Sequence, residues 1–391
     1  MKKLLSAALC AALLLTFAGC ARLFPQDTET SAPSLLRTDP TETSANATTE
    51  PVSIPNVDLT AISLKYTKLD TTAEDGTTVY SFCYPIPYLV TARADVTQSV
   101  TVDLMGRIDE FRSNGSELEA QAQAAYGSDG FTPYSLSVSY TPTRVDVGVL
   151  SLYGEVRSYP SGVHASFLST AVSYDLLTGK ELRLSDILSG NVTAEQLCTL
   201  LLASLSQQEE NLYADYANVA AERVQDCMDG AGGWYFTTTG LCFFFSPYDI
   251  APYSYGVVTA EIPYSALAGL MNDAYFPPEE GAYTGTLEAS LFTENAPSRE
   301  YAELSLDREA SRVILTTNQA VRDLKIQSGK YDGNTFTPME TVFSAGAMNA
   351  SQAVSIQADL ENTPLLLTYR SGEEIVQRVL TMENHVPVLK K

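Results

Sequence analysis

The sequence predicts an α+β fold, with helices packed on an antiparallel sheet, followed by a small all-β, sandwich-like domain. From residue 62 onward, segments with alternating apolar and polar side chains are separated by Gly, Asp and Ser turns, which is typical of antiparallel strands. Apolar residues at helical spacing occur within residues 100–111 and 193–228. After residue 281 the pattern consists of short alternating segments alone. Mixed elements followed by strands indicate two architectures in one chain.

Residues 1–19 predict a lipoprotein signal peptide. Two lysines precede an apolar run that is too short to span a bilayer comfortably. The run ends in Phe17-Ala18-Gly19-Cys20, which resembles a bacterial lipobox except that Phe17 replaces the usual leucine. Cys20 would then be acylated and become the new N-terminus; the alternative is an ordinary secreted protein that is cleaved elsewhere. We therefore expect a lipid-anchored protein on the extracellular face of a bacterial cell membrane. No later stretch is long and apolar enough for a membrane helix.

Residues 20–55 predict a disordered linker rich in Ser, Thr and Pro. Between Asp27 and Ser53, eleven of 27 residues are Ser or Thr and three are Pro. A segment with so few large apolar side chains cannot bury enough surface to fold.

The α+β segment is expected to span residues 56–278. Apolar spacing in residues 100–111 predicts a helix that ends near Gly115. Thr193, followed three positions later by Gln196, is a capping-box signature for a second helix. A third helix is expected from about residue 211 to residue 228, and three strands should follow it. Pro277-Pro278 marks the boundary to a β-sandwich-like domain of residues 279–391, which contains a clear hairpin at Ser371-Gly372.

The chain is strongly acidic. Its formal charge is −23, and removal of residues 1–19 takes away two lysines and no acid, which gives −25. This charge excludes nucleic acid as a partner and disfavours anionic lipid headgroups and polyanionic wall polymers. Cations or basic proteins are the natural electrostatic partners, and solubility alone is the competing explanation.

The cysteines give no metal signature. Four lie beyond Cys20, and none forms a C-x-x-C pair. Cys198 and Cys227 fall on consecutive predicted helices, so a disulfide between them is one alternative and free thiols are the other.

The sequence offers no set of catalytic residues, metal ligands or cofactor-binding motifs. Its two histidines are His164, in the corner YPSGVHAS, and His385, near the C-terminus. No G-x-S-x-G elbow, histidine-rich metal motif or calcium loop occurs. We expect His164 to be a structural histidine that hydrogen-bonds its turn, with a ligand contact as the alternative. The protein is accordingly expected not to be an enzyme and to hold no cofactor or metal.

A loop that carries three tyrosines between two prolines is the strongest candidate for a contact surface. Aromatic rings on a pre-ordered loop make good anchors because they have few rotors to freeze. The alternative is that Tyr248 and Tyr253 pack the loop against the sheet. With the histidine added, the candidate ligand-binding residues are Tyr248, Asp249, Tyr253, Tyr255 and His164.

Three stretches between residues 62 and 276 jointly resemble one family. YPSGVHAS corresponds to its glycine-rich GGAH corner. SYDLLTGKELRLSDIL matches its signature D-x-x-T-G-K-x-L-x-L-x-D from Asp175 to Asp186. FFFSPYDIAPYSYG matches its signature N-P-Y-E-I-A-P-Y, with Ser246 and Asp249 as departures. The family is the extracellular domain-of-unknown-function module of RsiV-type lysozyme-sensing anti-sigma factors, which also accompanies certain peptidoglycan deacetylases.

The resemblance implies an extracellular module that binds lysozyme. We therefore expect a non-catalytic binding module on a lipid anchor, with a basic lysozyme-like protein or a cell-wall component such as peptidoglycan as its ligand. The rival expectation is an enzyme or accessory protein that acts on cell-wall glycan, for which the sequence supplies neither a nucleophile nor a metal set.

Overall fold

Strands dominate the computed structural model, which describes residues 59–160, 165–278, 283–292 and 300–391. The predicted signal peptide, Cys20, the linker and His164 lie outside the described residues. The strands are β1 (Ala61–Thr72), β2 (Thr78–Val90), β3 (Tyr134–Val145), β4 (Val149–Tyr159), β5 (Ser166–Asp175), β6 (Lys180–Glu181), β7 (Trp234–Phe236), β8 (Gly240–Phe245), β9 (Val258–Pro263), β10 (Leu287–Leu291), β11 (Glu300–Ser305), β12 (Arg312–Thr317), β13 (Val321–Tyr331), β14 (Phe336–Met348), β15 (Gln352–Gln357), β16 (Leu365–Ser371), β17 (Glu374–Glu383) and β18 (Val386–Lys390). The α-helices are α1 (Ala94–Asn114), α2 (Ser116–Ala125), α3 (Leu184–Ile187), α4 (Ala194–Leu205) and α5 (Tyr216–Met228).

Eleven of the described strands form one long sheet, in the order β18-β17-β16-β13-β14-β1-β2-β3-β4-β5-β6. Strand β1 lies at its middle and pairs antiparallel with β14 on one side and β2 on the other. Strands β2 and β3 are parallel. Helices α1 and α2 make the crossover between them, as a parallel pair requires. The sheet therefore continues from the first predicted segment of the chain into the second.

Helix α1 covers one face of the sheet. Its buried residues Val96, Val100, Leu104 and Ile108 recur every four positions and pack against strand residues such as Phe82. The predicted helix is thus present and ends at Asn114, as expected. A further helix, α2, starts directly after Gly115, which keeps a right-handed helical conformation (φ −78°, ψ −6°). Gly115 packs closely on β3, because a Cβ there would lie 2.5 Å from Cδ2 of Leu136 and that side chain would have to move.

A second layer consists of α4 and α5 on the antiparallel sheet β7-β8-β9. The predicted capping box is present: Gln196 N donates to Thr193 Oγ1 at 3.3 Å, and Thr193 N donates to Gln196 Oε1 at 3.0 Å. Helix α5 begins at Tyr216 rather than at about residue 211: residues 206–211 form a 3-10 helix, and the backbone of Leu212 is extended, which interrupts the helix. All four described cysteines, including Cys198 and Cys227, are free thiols.

The C-terminal part is a β-sandwich, which confirms the predicted fold class of an α+β segment followed by a β-rich one. A four-stranded sheet, in the order β10-β12-β15-β11, packs on the β13, β14 and β16 end of the long sheet. Leu315 and Val354 from the first sheet share a buried cluster with Ile326 and Leu367 from the second. The predicted hairpin at Ser371-Gly372 joins β16 to β17.

The division into residues 56–278 and 279–391 stays a prediction. Leu59, Ala61 and Val90 from the first segment belong to the core of the sandwich, so the two segments share apolar contacts as well as the β1–β14 pairing. Both segments lie in one compact unit.

Within the described residues, no helix is both long enough and apolar enough to cross a lipid bilayer.

Candidate ligand-binding site

The tyrosine loop, residues 246–256, connects β8 to β9. Strand β8 is completely buried, and the chain leaves it after Phe245. In the middle of the loop, Ile250 and Ala251 return to the core beneath α4 and α5, with 0% and 1% of their surface exposed. This apolar anchor fixes the loop at its centre, so the tyrosines on either side are held at the surface.

Hydrogen bonds within the loop hold its first turn. Tyr248 N donates to the carbonyl of Ala251 at 3.1 Å, and Asp249 N donates to the carbonyl of Ser246 at 3.0 Å. Tyr248 has a φ of +76°, which bulky residues rarely adopt. Such conformations persist only where surrounding structure imposes them, and they cluster at ligand-contacting sites.

The three predicted tyrosines are exposed and ordered. Tyr248, Tyr253 and Tyr255 have 67%, 47% and 53% of their surface accessible. The rings of Tyr248 and Tyr253 stack at a centroid distance of 5.5 Å. The hydroxyl of Tyr255 donates to Asn211 Oδ1 at 2.6 Å. Tyr248 and Tyr253 therefore pack on each other at the surface.

The carboxylate of Asp249 makes contacts within the protein. Its Oδ2 accepts the N–H of Ser246 at 2.8 Å and pairs with Nη2 of Arg223 at 3.0 Å. Arg223 belongs to α5, and its guanidinium also lies 5.7 Å from the ring centre of Phe245. The carboxylate thus ties the loop to the helix, a role that the sequence pattern of the loop alone did not reveal.

Tyr213 is a surface residue that sequence reasoning missed. Its backbone N–H donates to the carbonyl of Ile250 at 2.8 Å, and 36% of its surface is accessible. The only sequence signal is its place just before α5, in a stretch that looked like part of that helix. Together Tyr213, Tyr248, Tyr253 and Tyr255 form what we call the tyrosine patch.

The patch offers contact surface and hydrogen-bonding hydroxyls on a fixed backbone. Rigid, amphipathic tyrosines of this kind contribute large contact areas at low conformational cost. Elsewhere in the described ranges, no three His, Cys, Asp or Glu side chains are grouped so that they could hold a metal ion. His164, the fifth predicted site residue, falls in the corner between β4 and β5 that lies outside the described residues.

Residues 185–265 match the model of a family described as "Protein of unknown function (DUF3298)". The match contains α4, α5, the β7-β8-β9 sheet and the whole tyrosine loop. This part of the chain is a DUF3298 domain.

Two solved structures of DUF3298 proteins are similar to part of the chain. One is a DUF3298 family protein from Pseudomonas aeruginosa PAO1, with a TM-score of 0.39 and 15% identity over 56% of this chain and 97% of that one. The other is a DUF3298 family member from Bacteroides fragilis NCTC 9343, with a TM-score of 0.36 and 17% identity over 54% of this chain and 94% of that one. No curated protein matches this sequence.

Proposed function

We propose that this protein is a cell-surface lipoprotein and that its α+β segment is a non-catalytic binding module for a basic, lysozyme-like protein. The observation that carries the proposal is the tyrosine patch, since exposed and pre-ordered tyrosines are enriched at the centres of protein interfaces. The patch belongs to the DUF3298 domain, and the resemblance to RsiV-type modules supplies the ligand class.

Charge supports a basic ligand. The chain without residues 1–19 has a formal charge of −25, which would steer a cationic protein towards it and raise the association rate at low salt. Because screening at ~0.15 M salt limits such steering to about 8 Å, the rate should fall as salt rises.

The N-terminal sequence supports presentation outside the cell. Acylation of Cys20 would fix the protein to the membrane, and if residues 20–55 are the linker that their Ser-, Thr- and Pro-rich sequence predicts, they would hold the folded part on the order of 30 Å from the lipid surface. The binding module would then reach secreted proteins while remaining attached to the cell.

Surface plasmon resonance with the mature protein, residues 20–391, tests the proposal. Several lysozymes are passed over the immobilised protein at low salt and at physiological salt. We expect binding, with association slower at the higher salt. Absence of binding at tens of micromolar lysozyme would contradict the proposed ligand.

Substitutions locate the site. Tyr253→Ala should weaken binding by roughly 2 kcal/mol, about thirtyfold, because it removes one anchor and the stacking partner of Tyr248. His164→Ala should have a smaller effect. Tyr88→Ala is the matched control, since Tyr88 is a 38% exposed tyrosine on β2, outside the patch. Equal losses from Tyr253→Ala and Tyr88→Ala would show that the patch is not the contact surface.

Tyr248 needs a different design because of its positive φ. Tyr248→Gly removes the ring and relieves the backbone, whereas Tyr248→Ala removes the ring and keeps the strain. If the ring is an anchor, both variants bind lysozyme more weakly. Weak binding by the alanine variant alone would indicate that loop conformation matters and the ring does not.

Cell-wall material is the alternative ligand. Soluble peptidoglycan fragments, incubated with the mature protein and analysed by mass spectrometry, separate binding from turnover. Binding of intact fragments in place of lysozyme would move the proposal to a wall-binding module, and cleaved fragments would contradict the non-catalytic role.

A further inference from the structure

One edge of the long sheet has a stretch with no neighbouring strand. Strand β5 pairs with β4 along its whole length. On the other side of β5, the short strand β6 pairs only with Tyr174 and Asp175, and no further described strand pairs with β5 there. Residues 166–172 therefore form an open edge of the sheet, about 23 Å long at roughly 3.3 Å per residue. We call this stretch the β5 edge.

Backbone hydrogen bonds show which groups of β5 point outward. On the β6 side, Leu182 N donates to the carbonyl of Ser173 at 2.7 Å. On the β4 side, Leu176 N donates to the carbonyl of Gly148 at 2.8 Å. Because this direction alternates from residue to residue in an antiparallel strand, the odd-numbered residues of β5 direct their N–H and C=O groups away from β4. Along the β5 edge these residues are Phe167, Ser169 and Ala171.

The β5 edge lacks the features that usually prevent strand edges from pairing with other chains. Its sequence, SFLSTAV, contains no charged residue and no proline. Its register with β4 runs without a bulge. Natural proteins commonly protect an edge with lysine, proline, a bulge or a covering segment. Leu168 is 39% exposed, and Phe167 and Ala171 are half-buried. The β5 edge is therefore suited to pairing with an extended segment.

The tyrosine loop is anchored beside the β5 edge. Val257, which follows the loop directly, packs in one cluster with Ala171 of β5 and Tyr153 of β4. Shortly before the loop, the ring of Phe244 lies 5.5 Å from that of Tyr153. Ser169 is buried, and its hydroxyl lies 2.9 Å from that of Tyr153. A strand added at the β5 edge would thus lie beside the base of the tyrosine loop.

The charge of the chain distinguishes between the occupants that such an edge could take. A second copy would bring together two chains that each carry a formal charge of −25 without residues 1–19, and such charge keeps proteins apart. A basic segment is attracted by the same charge. In strand addition, main-chain hydrogen bonds supply affinity, and alternate side chains supply specificity.

We propose that the β5 edge binds an extended, basic segment of a partner protein, which joins the long sheet as an additional strand. The segment would exchange hydrogen bonds with the outward backbone groups of Phe167, Ser169 and Ala171. This inference goes beyond the tyrosine patch and does not require the partner to be a lysozyme.

Amide hydrogen exchange, resolved by nuclear magnetic resonance on the mature protein, tests the proposal. In the free protein, the outward N–H groups of Phe167, Ser169 and Ala171 should exchange at least about tenfold faster than those of Leu168 and Thr170, which point towards β4. The probe is the heptapeptide acetyl-KTVTVTK-amide at up to millimolar concentration. It should slow exchange of the three outward groups. Slow exchange in the free protein would show that the edge is already covered and would overturn the proposal, as would unchanged exchange at millimolar peptide.

Two control peptides separate strand pairing from charge attraction. The same heptapeptide, methylated at every internal backbone nitrogen, keeps its charges and side chains but cannot donate N–H groups. It should bind at least about tenfold more weakly. A peptide with glutamate in place of both lysines should also bind more weakly, because the acidic chain repels it. Equal binding of the methylated peptide would overturn strand addition, and equal or tighter binding of the acidic peptide would overturn the basic partner.

Ser169→Pro and Ser169→Ala form a matched pair of variants. Both lose the hydroxyl beside Tyr153, but only proline removes the outward N–H and places a ring at the edge. Proline is tolerated on edge strands where its nitrogen faces away from the neighbouring strand. We expect Ser169→Pro to weaken peptide binding at least about tenfold and Ser169→Ala to leave it nearly unchanged. Equal binding by the two variants would contradict the proposal.

Two measurements keep the result unambiguous. Circular dichroism shows whether Ser169→Pro is folded, and the methylated peptide decides if it is not. Sedimentation of the free protein over a range of concentrations detects self-association. If the outward amides become protected only as the protein associates with itself, a second copy occupies the edge and the proposed occupant is wrong. Protection by the basic peptide supports the proposal whatever the result with lysozyme.

Discussion

Replacing Gly346 with alanine tests how the two segments of the chain are joined. A Cβ at this position of β14 would lie 1.9 Å from the carbonyl oxygen of Val145 and 2.9 Å from Cα of Asp146. Both contacts are to backbone atoms of the β3–β4 turn, so no side-chain rotation can relieve them. Ordinary contact distances of about 3.5 Å would require the turn to move away from β14 by more than ~1 Å.

Overpacking of this kind typically costs about 1–3 kcal/mol, and sometimes more. Loss of the glycine's freedom in the unfolded chain offsets about 0.4–1 kcal/mol of that cost. With a clash this close, we expect a net loss in the free energy of unfolding of about 2 kcal/mol.

Urea denaturation followed by two probes measures the effect. The single tryptophan, Trp234, is buried in β7 and reports on the DUF3298 domain, whereas far-ultraviolet circular dichroism reports on all strands. If the turn is docked on β14, Gly346→Ala lowers the unfolding midpoint seen by Trp234, although the substitution lies in the other segment. Coincident transitions from both probes would indicate that the segments unfold together.

Gly106→Ala is the matched control. Gly106 lies within α1, and a Cβ there would meet nothing within 4 Å. The substitution should stabilise the protein by roughly 0.8–1 kcal/mol through helix propensity. If Gly106→Ala stabilises and Gly346→Ala leaves the Trp234 transition unchanged, the docking of the turn on β14 is refuted.

Three further predictions concern the boundary, the anchor and the pH dependence. A fragment of residues 56–278 should fold alone and unfold cooperatively. Its stability should be reduced, because Leu59, Ala61 and Val90 lose the apolar contacts with the sandwich that bury them. A molten product, rescued only by adding residues 279–391, would contradict the predicted boundary. Cys20→Ala should abolish labelling by a radioactive fatty acid and leave the protein uncleaved or released, and label on the variant would contradict the assignment. Burial raises the pKa of Asp103, but hydrogen bonds from Tyr174 and Arg107 outweigh burial, so that its pKa lies below the usual value. A lowered pKa contributes stability above the unfolded pKa of about 3.9 that is lost as pH falls through the folded pKa. Asp103→Asn should therefore be less stable than the parent at pH 7, and the difference should shrink as pH falls below about 3.9. A gap in thermal melting temperature that is constant with pH would contradict this reasoning.

The parts of the fold that depend on local pattern could be predicted from the sequence. The four-residue recurrence of Val100, Leu104 and Ile108 indicated α1, and Thr193 with Gln196 indicated the start of α4. Spacing and capping involve residues within one or two turns of each other, so the physical cause is visible in the sequence itself.

Long-range pairing could not be predicted in the same way. Nothing in residues 61–63 specifies that they pair with residues 343–345, and so the sheet that joins the two segments was not foreseen. Gly115 indicated the end of α1, which the structure confirms, but its close packing against Leu136 and the start of α2 directly after it were not foreseen. Glycine has the same signature in sequence for both uses.

The same limit applied to the sites. The tyrosine loop is contiguous, so its prolines and tyrosines could be found by inspection, whereas Arg223 and Tyr213 reach it through tertiary contacts. Arg144, Arg322 and Arg370 line one cleft in the structure, although each looks like an ordinary surface charge in its own stretch of sequence. Only the fold shows that they share one cavity.

The most direct test of the proposed function is the salt dependence of lysozyme binding to the mature protein by surface plasmon resonance. We predict saturable binding of a basic lysozyme, an association rate that falls as salt rises past ~0.15 M, and a loss of affinity in Tyr253→Ala that Tyr88→Ala does not reproduce. No binding at tens of micromolar lysozyme, or binding that is indifferent to both salt and Tyr253, would contradict it.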